Sequence, residues 1–354
     1  MKEYYVIGLM SGTSLDGLDI AYCKFVLDKG WSFEILNFNT FNYDSVFREK
    51  LRQAAFQKES DIKKLSYEFG CLMAKELKQF IAQHTITKLD VVSTHGHTVF
   101  HQPDKGITLQ IGDSKPIYDV IQKPVVYDFR SQDVAFGGQG APLVPLVDKL
   151  LFADYDACLN LGGFSNISFD IHGTRIAFDI CPVNIVLNLL SEKMGFEYDN
   201  KGEIASKGTV DIDLLGQLNG LHYFSKPFPK SLAWEWVLDH VLPLLDQSCL
   251  SVENQMRTFV EHIAIQISSV VMRYHLTSVY LTGGGVYHGF LLKRLAHMVP
   301  NVWVQADDNL IQGKEAMAFA FLGLLKLRGE DNVLSSVTGC VKNHCSGRIY
   351  SEEL

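Results

Sequence analysis

The sequence lacks a C-x-x-C pair, a long apolar run and an excess of basic charge. Each absence removes a class of protein. The seven cysteines, Cys23, Cys71, Cys158, Cys181, Cys249, Cys340 and Cys345, are odd in number and scattered. That pattern suits free thiols in a reducing cytoplasm and argues against a disulfide framework or a zinc knot. No window approaches ~18 uninterrupted apolar residues, so no membrane span is expected. Met1-Lys2-Glu3 leads into an apolar stretch, Tyr4 to Met10, with neither the length nor the small-residue cleavage site of a signal peptide. Lys and Arg number 32 against 40 Asp and Glu, a net charge of −8. No broad basic field is available for a phosphate backbone, and no nucleic-acid partner is expected. Low-complexity tracts and Pro-rich linkers are absent too. What is present is ample apolar material: 47% of 354 residues are hydrophobic and 20% charged. At roughly 150 residues per domain, that predicts two domains with sizeable cores and a cytoplasmic location.

Strands punctuated by glycine alternate with helices. Tyr4 to Met10, Leu18 to Phe25 and Trp31 to Phe38 read as three antiparallel strands, followed by helical spacing over Ser45 to Phe56 and Ile62 to Gln83 and a β-run at Leu89 to Ser93. The second half opens alike, with strands at Ala157 to Leu161, Ile167 to Ile171 and Arg175 to Asp179 and a helix from Asn184 to Met194. A βββα block therefore occurs twice, which predicts a duplicated architecture with a junction near Asp128 to Gly140. Further helices are expected at Leu232 to Gln247, Glu253 to Tyr274 and Gly313 to Leu327, with a strand at Ser278 to Leu281.

Several turns between these elements carry chemistry-bearing residues. Gly8-Leu9-Met10-Ser11-Gly12-Thr13-Ser14-Leu15-Asp16-Gly17 is a Gly/Ser hairpin turn. Gly12 and Gly17 would let backbone N–H groups approach a phosphate, the hydroxyls of Ser11, Thr13 and Ser14 would add donors, and Asp16 offers oxygen to Mg²⁺. The same residues also make an ordinary turn. Asn160-Leu161-Gly162-Gly163 and Leu281-Thr282-Gly283-Gly284-Gly285 are two more glycine turns after strands, where a ligand or another backbone could come close. Asp179, at the end of an apolar strand and just before the helix that Asn184 opens, is placed as a general base or as an acceptor for its own turn. His95-Gly96, Gln110, Asp128-Phe129-Arg130 and Gly137-Gly138-Gln139-Gly140 concentrate polar groups as a pocket for a hydroxyl-rich molecule would need. His95, His97 and His101 lack a zinc-binding spacing. Glu315, read as lying in the first turn of its helix, could do no more than complement the helix dipole.

Taken in order, these motifs, from Gly8 to Gly17 through Leu109-Gln110-Ile111-Gly112-Asp113 and Gly137 to Pro145 to Glu315-Ala316, resemble those of the anhydro-N-acetylmuramic acid kinases over nearly the whole chain. The resemblance implies an α/β, two-domain actin-like ATPase (ribonuclease H-like) fold. Each domain would have a βββαβα core beside an interdomain cleft, the N-terminal domain being 1–130 with 333–354 and the C-terminal domain 131–332. It implies an enzyme that uses ATP and Mg²⁺ to open the 1,6-anhydro ring of anhydro-N-acetylmuramic acid with water and to phosphorylate O6, in peptidoglycan recycling. Carried over, Asp179 is the base. Gly8, Ser11, Gly12, Thr13, Ser14, Asp16, Gly17, Gly162, Gly163, Gly283, Gly284 and Gly285 bind the nucleotide. His95, Gly96, Arg130, Gln139, Gly140 and Asn184 hold the sugar, and Asp16 and Glu315 hold the metal. A homodimer is one assembly open to such a chain. Three features depart from the family: Cys181-Pro182-Val183-Asn184 replaces a glycine-containing segment after Asp179, His97 stands where Gln is usual, and Arg257-Thr258-Phe259 replaces a usual Thr-Leu pair. They leave open another anhydro sugar such as levoglucosan, and a non-catalytic ATP switch is the rival from another class.

Overall fold

Alternating apolar residues at the N-terminus fold as their period demands. In the computed structural model, which describes residues 1–12 and 15–352, Lys2–Ser11 (β1), Gly17–Leu27 (β2) and Trp31–Asn42 (β3) form an antiparallel meander. Val91–Thr94 (β4) pairs parallel to β1. A separate hairpin, His97–Gln102 (β5) with Ile107–Ile111 (β6), follows it, and Val125–Tyr127 (β7) pairs parallel to β4. The chain divides into two compact units: Met1–Leu151 with Gln312–Leu354, and Phe152–Ile311.

The second unit repeats the plan of the first. Ala157–Leu161 (β8), Phe164–Ile171 (β9) and Thr174–Pro182 (β10) form an antiparallel meander, and Val279–Thr282 (β11) and Trp303–Gln305 (β12) add in parallel beside β8. The order β10-β9-β8-β11-β12 matches β3-β2-β1-β4-β7 of the first unit, strand for strand and direction for direction. This is the doubled ribonuclease H-like sheet of an actin-like ATPase. Arg348–Tyr350 (β13) closes the first unit's sheet beside β7.

Each sheet is covered by a helix whose apolar stripe has the right period. In the first unit Leu65, Phe69, Met73, Leu77 and Phe80 of helix Glu59–Gln83 pack with Ile7, Leu9, Ile20 and Val92. In the second, Phe259, Ile263, Ile267 and Val271 of helix Val252–Arg273 pack with Leu159, Phe169 and Leu281. Among the described residues, no helix is long and apolar enough to cross a membrane.

The junctions lie at Leu151/Phe152 and Ile311/Gln312, rather than near residues 130 and 332. Long-range contacts explain the difference. Lys314 pairs with Asp148 at 3.0 Å, the Ser93 hydroxyl donates to the Phe319 carbonyl at 2.5 Å, and Thr338 donates to Asp133 at 2.8 Å. These bonds fasten 131–151 and 312–332 to the first unit. Helix Asp308–Leu327 also lies so close to β1 that a Cβ on Gly8 would stand 1.9 Å from the Ala316 carbonyl oxygen. Gly8 is therefore a packing position inside the sheet, whatever it adds at the nucleotide. Gly8→Val is expected to lower stability by at least the ~1–3 kcal/mol typical of overpacking, read as a fall in the thermal midpoint.

Candidate functional site

In the first unit, β1 ends at Ser11 and the chain turns back through Leu15, whose N–H bonds the Gly12 carbonyl at 3.3 Å. Thr13 and Ser14 lie outside the described residues. Ser11 is buried and spends its hydroxyl internally. Tyr43 donates to Ser11 Oγ at 2.8 Å, and Ser11 Oγ lies in hydrogen-bond contact with His97 Nδ1 at 3.2 Å. Burial lowers the His97 pKa, against the raising effect of its bond at Ser11. Ser11 and His97 brace the turn, and the hydroxyl that the sequence offers to a phosphate is bonded here to Tyr43 and His97. Gly17 is a packing position too, with room for no Cβ beside the Phe41 carbonyl.

A second group lies at the ends of β4 and β7. His95 is buried, its Nδ1 lies 3.1 Å from the Gly96 carbonyl, and its Nε2 accepts from Arg130 Nε at 3.0 Å. The ring is thus a neutral Nδ1–H tautomer. Burial, then the Arg130 charge, holds its pKa well below the ordinary histidine value. Arg130 Nη1 donates to the Gly140 carbonyl at 2.6 Å, and burial brings the Arg130 pKa down to about 10. Gly140 is fixed in turn by its N–H to Asp133 Oδ2 at 2.7 Å. Gln139 N–H bonds the Thr338 carbonyl at 2.8 Å, and its side chain is exposed. His95, Gly96, Arg130 and Gly140 thus form one rigid hydrogen-bonded group.

Carboxylates form the third. Asp16 is exposed in the turn before β2. Asp19, on β2, accepts from Thr40 Oγ1 at 2.5 Å; burial raises its pKa, and the Asp16 charge adds to the rise. Burial also raises Glu315, with Asp19 adding and Lys314 and Arg130 opposing, although its tip remains open to solvent. Because helix Asp308–Leu327 begins well before Gly313, Glu315 stands about two turns inside it. The dipole explanation for this residue falls, and the charges that bear on it are those of Asp19, Lys314 and Arg130. Asp16 bears on Asp19, and Asp19 on Glu315, so the three carboxylates offer hard oxygen of the kind Mg²⁺ takes.

In the second unit, the ends of β8, β10 and β11 converge. Gly283 has φ 83°, and a Cβ there would lie 2.6 Å from Asn160 Oδ1 and 2.8 Å from the Leu161 carbonyl. Gly285 is pressed against Leu161 as well, whereas Gly284 faces open space toward Asn184. The Gly162 and Gly163 carbonyls accept from the N–H groups of Val183, Asn184 and Ile185 at 2.8–3.2 Å, which caps helix Asn184–Glu192. That helix N-terminus is therefore occupied by protein. Asn184 Nδ2 reaches the Leu161 carbonyl at 3.4 Å.

Asp179 precedes a register shift in β10 that spans Asp179 to Cys181. Ser165 staples the shift, donating to the Cys181 carbonyl at 3.0 Å and accepting from its N–H at 3.2 Å. The Leu232 N–H holds Asp179 Oδ2 at 2.8 Å, Tyr223 donates to the Asp179 carbonyl at 2.7 Å, and Asp179 N–H bonds the Lys230 carbonyl at 3.2 Å. Asp179 Oδ1 has no hydrogen-bond partner among the described residues. Burial raises the Asp179 pKa, against the lowering effect of the Leu232 bond. The ammonium of Lys230 lies 4.5 Å from the Tyr223 ring centroid. This Lys230–Leu232 loop leads into Trp234–Gln247, expected as a regular helix but carrying a π-helical turn at Val237–Val241.

Sequence reasoning missed Asp19, Asp133 and Tyr223. Asp19 had a visible signal, a carboxylate inside an apolar strand. Asp133 had none, because its partners are Gly138, Gly140 and the distant Thr338.

Known proteins similar in sequence to this chain fall in one family. The family described as anhydro-N-acetylmuramic acid kinase matches residues 4–352. A curated relative of that name from Aliivibrio fischeri is 32% identical over 370 residues, covering 99% of each chain. One from Sulfurovum sp. is 32% identical over 366 residues, again covering 99% of each. Among solved structures, the activator of the 2-hydroxyisocaproyl-CoA dehydratase from Clostridium difficile with bound ADPNP aligns with a TM-score of 0.42 at 12% identity, covering 92% of this chain and 97% of that one. With a family match over almost its full length and relatives above 30% identity, the chain belongs to the anhydro-N-acetylmuramic acid kinase family.

Proposed function

We propose that the chain opens the 1,6-anhydro ring of anhydro-N-acetylmuramic acid with water and transfers the γ-phosphoryl group of ATP to the O6 so released, giving N-acetylmuramic acid 6-phosphate and ADP. The observation that carries the reading is the setting of Asp179, with one carboxylate oxygen held by the Leu232 N–H and the other left for a water. Asp179 Oδ1 takes a proton from that water as its oxygen bonds to the anomeric carbon. The bond from that carbon to O6 breaks, and the freed O6 bonds to the γ-phosphorus as the bond to the β-phosphate oxygen breaks. O6 needs in-line placement more than chemical activation. Arg130, His95, Gly96, Gln139 and Gly140 orient the sugar, and the fixed guanidinium gives the group its rigidity. Asn184 is assigned a sugar hydroxyl. Gly12, Thr13, Ser14, Gly162 and Gly163 are assigned to the phosphates and Gly284 to the nucleotide, while Ser11, Gly17, Gly283 and Gly285 shape the turns. Asp16, Asp19 and Glu315 would hold Mg²⁺, which neutralises charge on the transferring phosphoryl group when bound. The need for ATP and the seven free cysteines favour the cytoplasm.

The test is sugar-dependent ADP release by the purified chain with Mg-ATP, with product mass as the readout. Release without sugar, or release driven better by levoglucosan, contradicts the assignment. A pH profile follows from the base. Only ionised Asp179 accepts the proton, so kcat/KM should fall on the acid side as pH drops through its pKa. Burial places that limb above the ordinary aspartate value of 3.8. An acid limb at or below that value would contradict a buried base.

A further inference from the structure

Behind the loop that holds Arg130, three unlike metal-ligating side chains meet within the first unit. Asp133, on helix Ser131–Ala135, is fully buried, and Cys340 and His344 are 6% and 5% exposed. One ligand atom from each lies within 4.8 Å of the others, the single such group of His, Cys, Asp or Glu among the described residues.

The imidazole is already oriented. His344 Nδ1 lies 3.1 Å from the Lys342 carbonyl oxygen, and Phe136 packs edge-on against the ring at 5.0 Å. A carbonyl can only accept, so Nδ1 carries the proton and Nε2 presents a lone pair. That Nε2 is buried without a hydrogen-bond partner, and what it faces, at 3.8 Å, is Asp133 Oδ1, another acceptor. Two acceptors facing each other across a buried gap are relieved by a positive charge between them, a proton on Nε2 or a metal ion. Cys340 Sγ, 3.7 Å from His344 Nδ1 and donating to the Lys342 carbonyl at 3.1 Å, is the soft third donor of the group once its thiol proton leaves. Asp133 has its outer partners in place, Gly140 N–H on Oδ2 at 2.7 Å and the Thr338 hydroxyl on Oδ1 at 2.8 Å. A carbonyl on the far imidazole nitrogen and donors on the carboxylate are the surroundings that metal ligands keep.

We propose that Asp133, Cys340 and His344 bind one zinc ion through a carboxylate oxygen, a thiolate and imidazole Nε2, with water in the fourth position. Zinc bonds of about 2.0–2.3 Å in a tetrahedron set ligand atoms roughly 3.3–3.8 Å apart, which the gap between Nε2 and Oδ1 matches. Binding releases the Cys340 thiol proton to solvent and involves no electron transfer. The mixed sulfur, nitrogen and oxygen set selects zinc over the Mg²⁺ suited to Asp16, Asp19 and Glu315. Its consequence is mechanical: the ion ties 340–344 to Asp133, which fixes Gly140 and through its carbonyl Arg130.

The test uses the full chain, stripped by a chelator and titrated with Co²⁺ as a spectroscopic stand-in. One equivalent is expected to raise a thiolate-to-cobalt charge-transfer band that Zn²⁺ then abolishes. Cys340→Ser and His344→Ala should each weaken uptake by at least the ~10–100-fold that even outer-shell partners command, while Cys71→Ser leaves it unchanged. Circular dichroism of the metal-free variants checks folding; if His344→Ala does not fold, Cys340→Ser, which keeps a small polar side chain, decides alone. A cobalt spectrum without the thiolate band, or a band that survives Cys340→Ser, overturns the proposal. So does the absence of uptake, the result expected if a proton on His344 fills the gap instead.

Discussion

Asp179→Asn is expected to lower kcat by ~10²–10⁴-fold, the range a positioned general base contributes, while ATP affinity stays unchanged. The replacement is nearly isosteric. The amide oxygen can still accept from the Leu232 N–H as Oδ2 does at 2.8 Å, and the Tyr223 bond goes to the backbone carbonyl, so both anchors survive. What disappears is the lone pair basic enough to take a proton from water. Steady-state kinetics with saturating sugar, beside calorimetric titration with a non-hydrolysable ATP analogue, separate the two quantities. Retained turnover, or lost nucleotide affinity, counts against Asp179 as the base.

Arg130→Met should reduce kcat/KM for the sugar by two orders of magnitude or more, with a smaller change in KM for ATP. The guanidinium makes bonds of 3.0 Å to His95 Nε2 and 2.6 Å to the Gly140 carbonyl. Hydrogen bonds to charged groups contribute about 1.5–3 kcal/mol each, and removing the donor leaves two acceptors facing an apolar side chain. Tenfold in rate is about 1.4 kcal/mol, so the pair accounts for the expected loss. Arg130→Lys should recover little of it, because an ammonium on a flexible stem does not reproduce a planar fork that spans both acceptors. Full rescue by Lys would show that charge alone matters at this position.

How much of this was legible in the sequence depended on the range of the interaction. Strands β1 to β3 and β8 to β10 were legible because alternation has a period of two and their turns are local, so the duplicated meander emerged from the order of residues alone. The turns were legible as places of close approach, but not what approached. Gly8 stands in a glycine-rich motif, yet its neighbour is the Ala316 carbonyl, a residue far along the chain. Glu315 looked like a dipole residue because the start of its helix was put at Gly313, when the polar residues from Asp308 are helical too. The unit junctions were misplaced for a similar reason. Nothing local to residues 131–151 reveals that Lys314 pairs with Asp148 or that Thr338 reaches Asp133. A residue's position was more legible than its partners, as Ser11 shows: its hydroxyl bonds Tyr43 and His97, the latter 86 positions away.

The central claim is that water, activated at Asp179, enters the sugar at the anomeric carbon while the phosphoryl group goes to O6. Running the reaction in ¹⁸O-labelled water and fragmenting the product by mass spectrometry tests it most directly. The account predicts label on the anomeric oxygen and none in the phosphate. A phosphorylated product with its anhydro ring intact, or with label in the phosphate group, would contradict it.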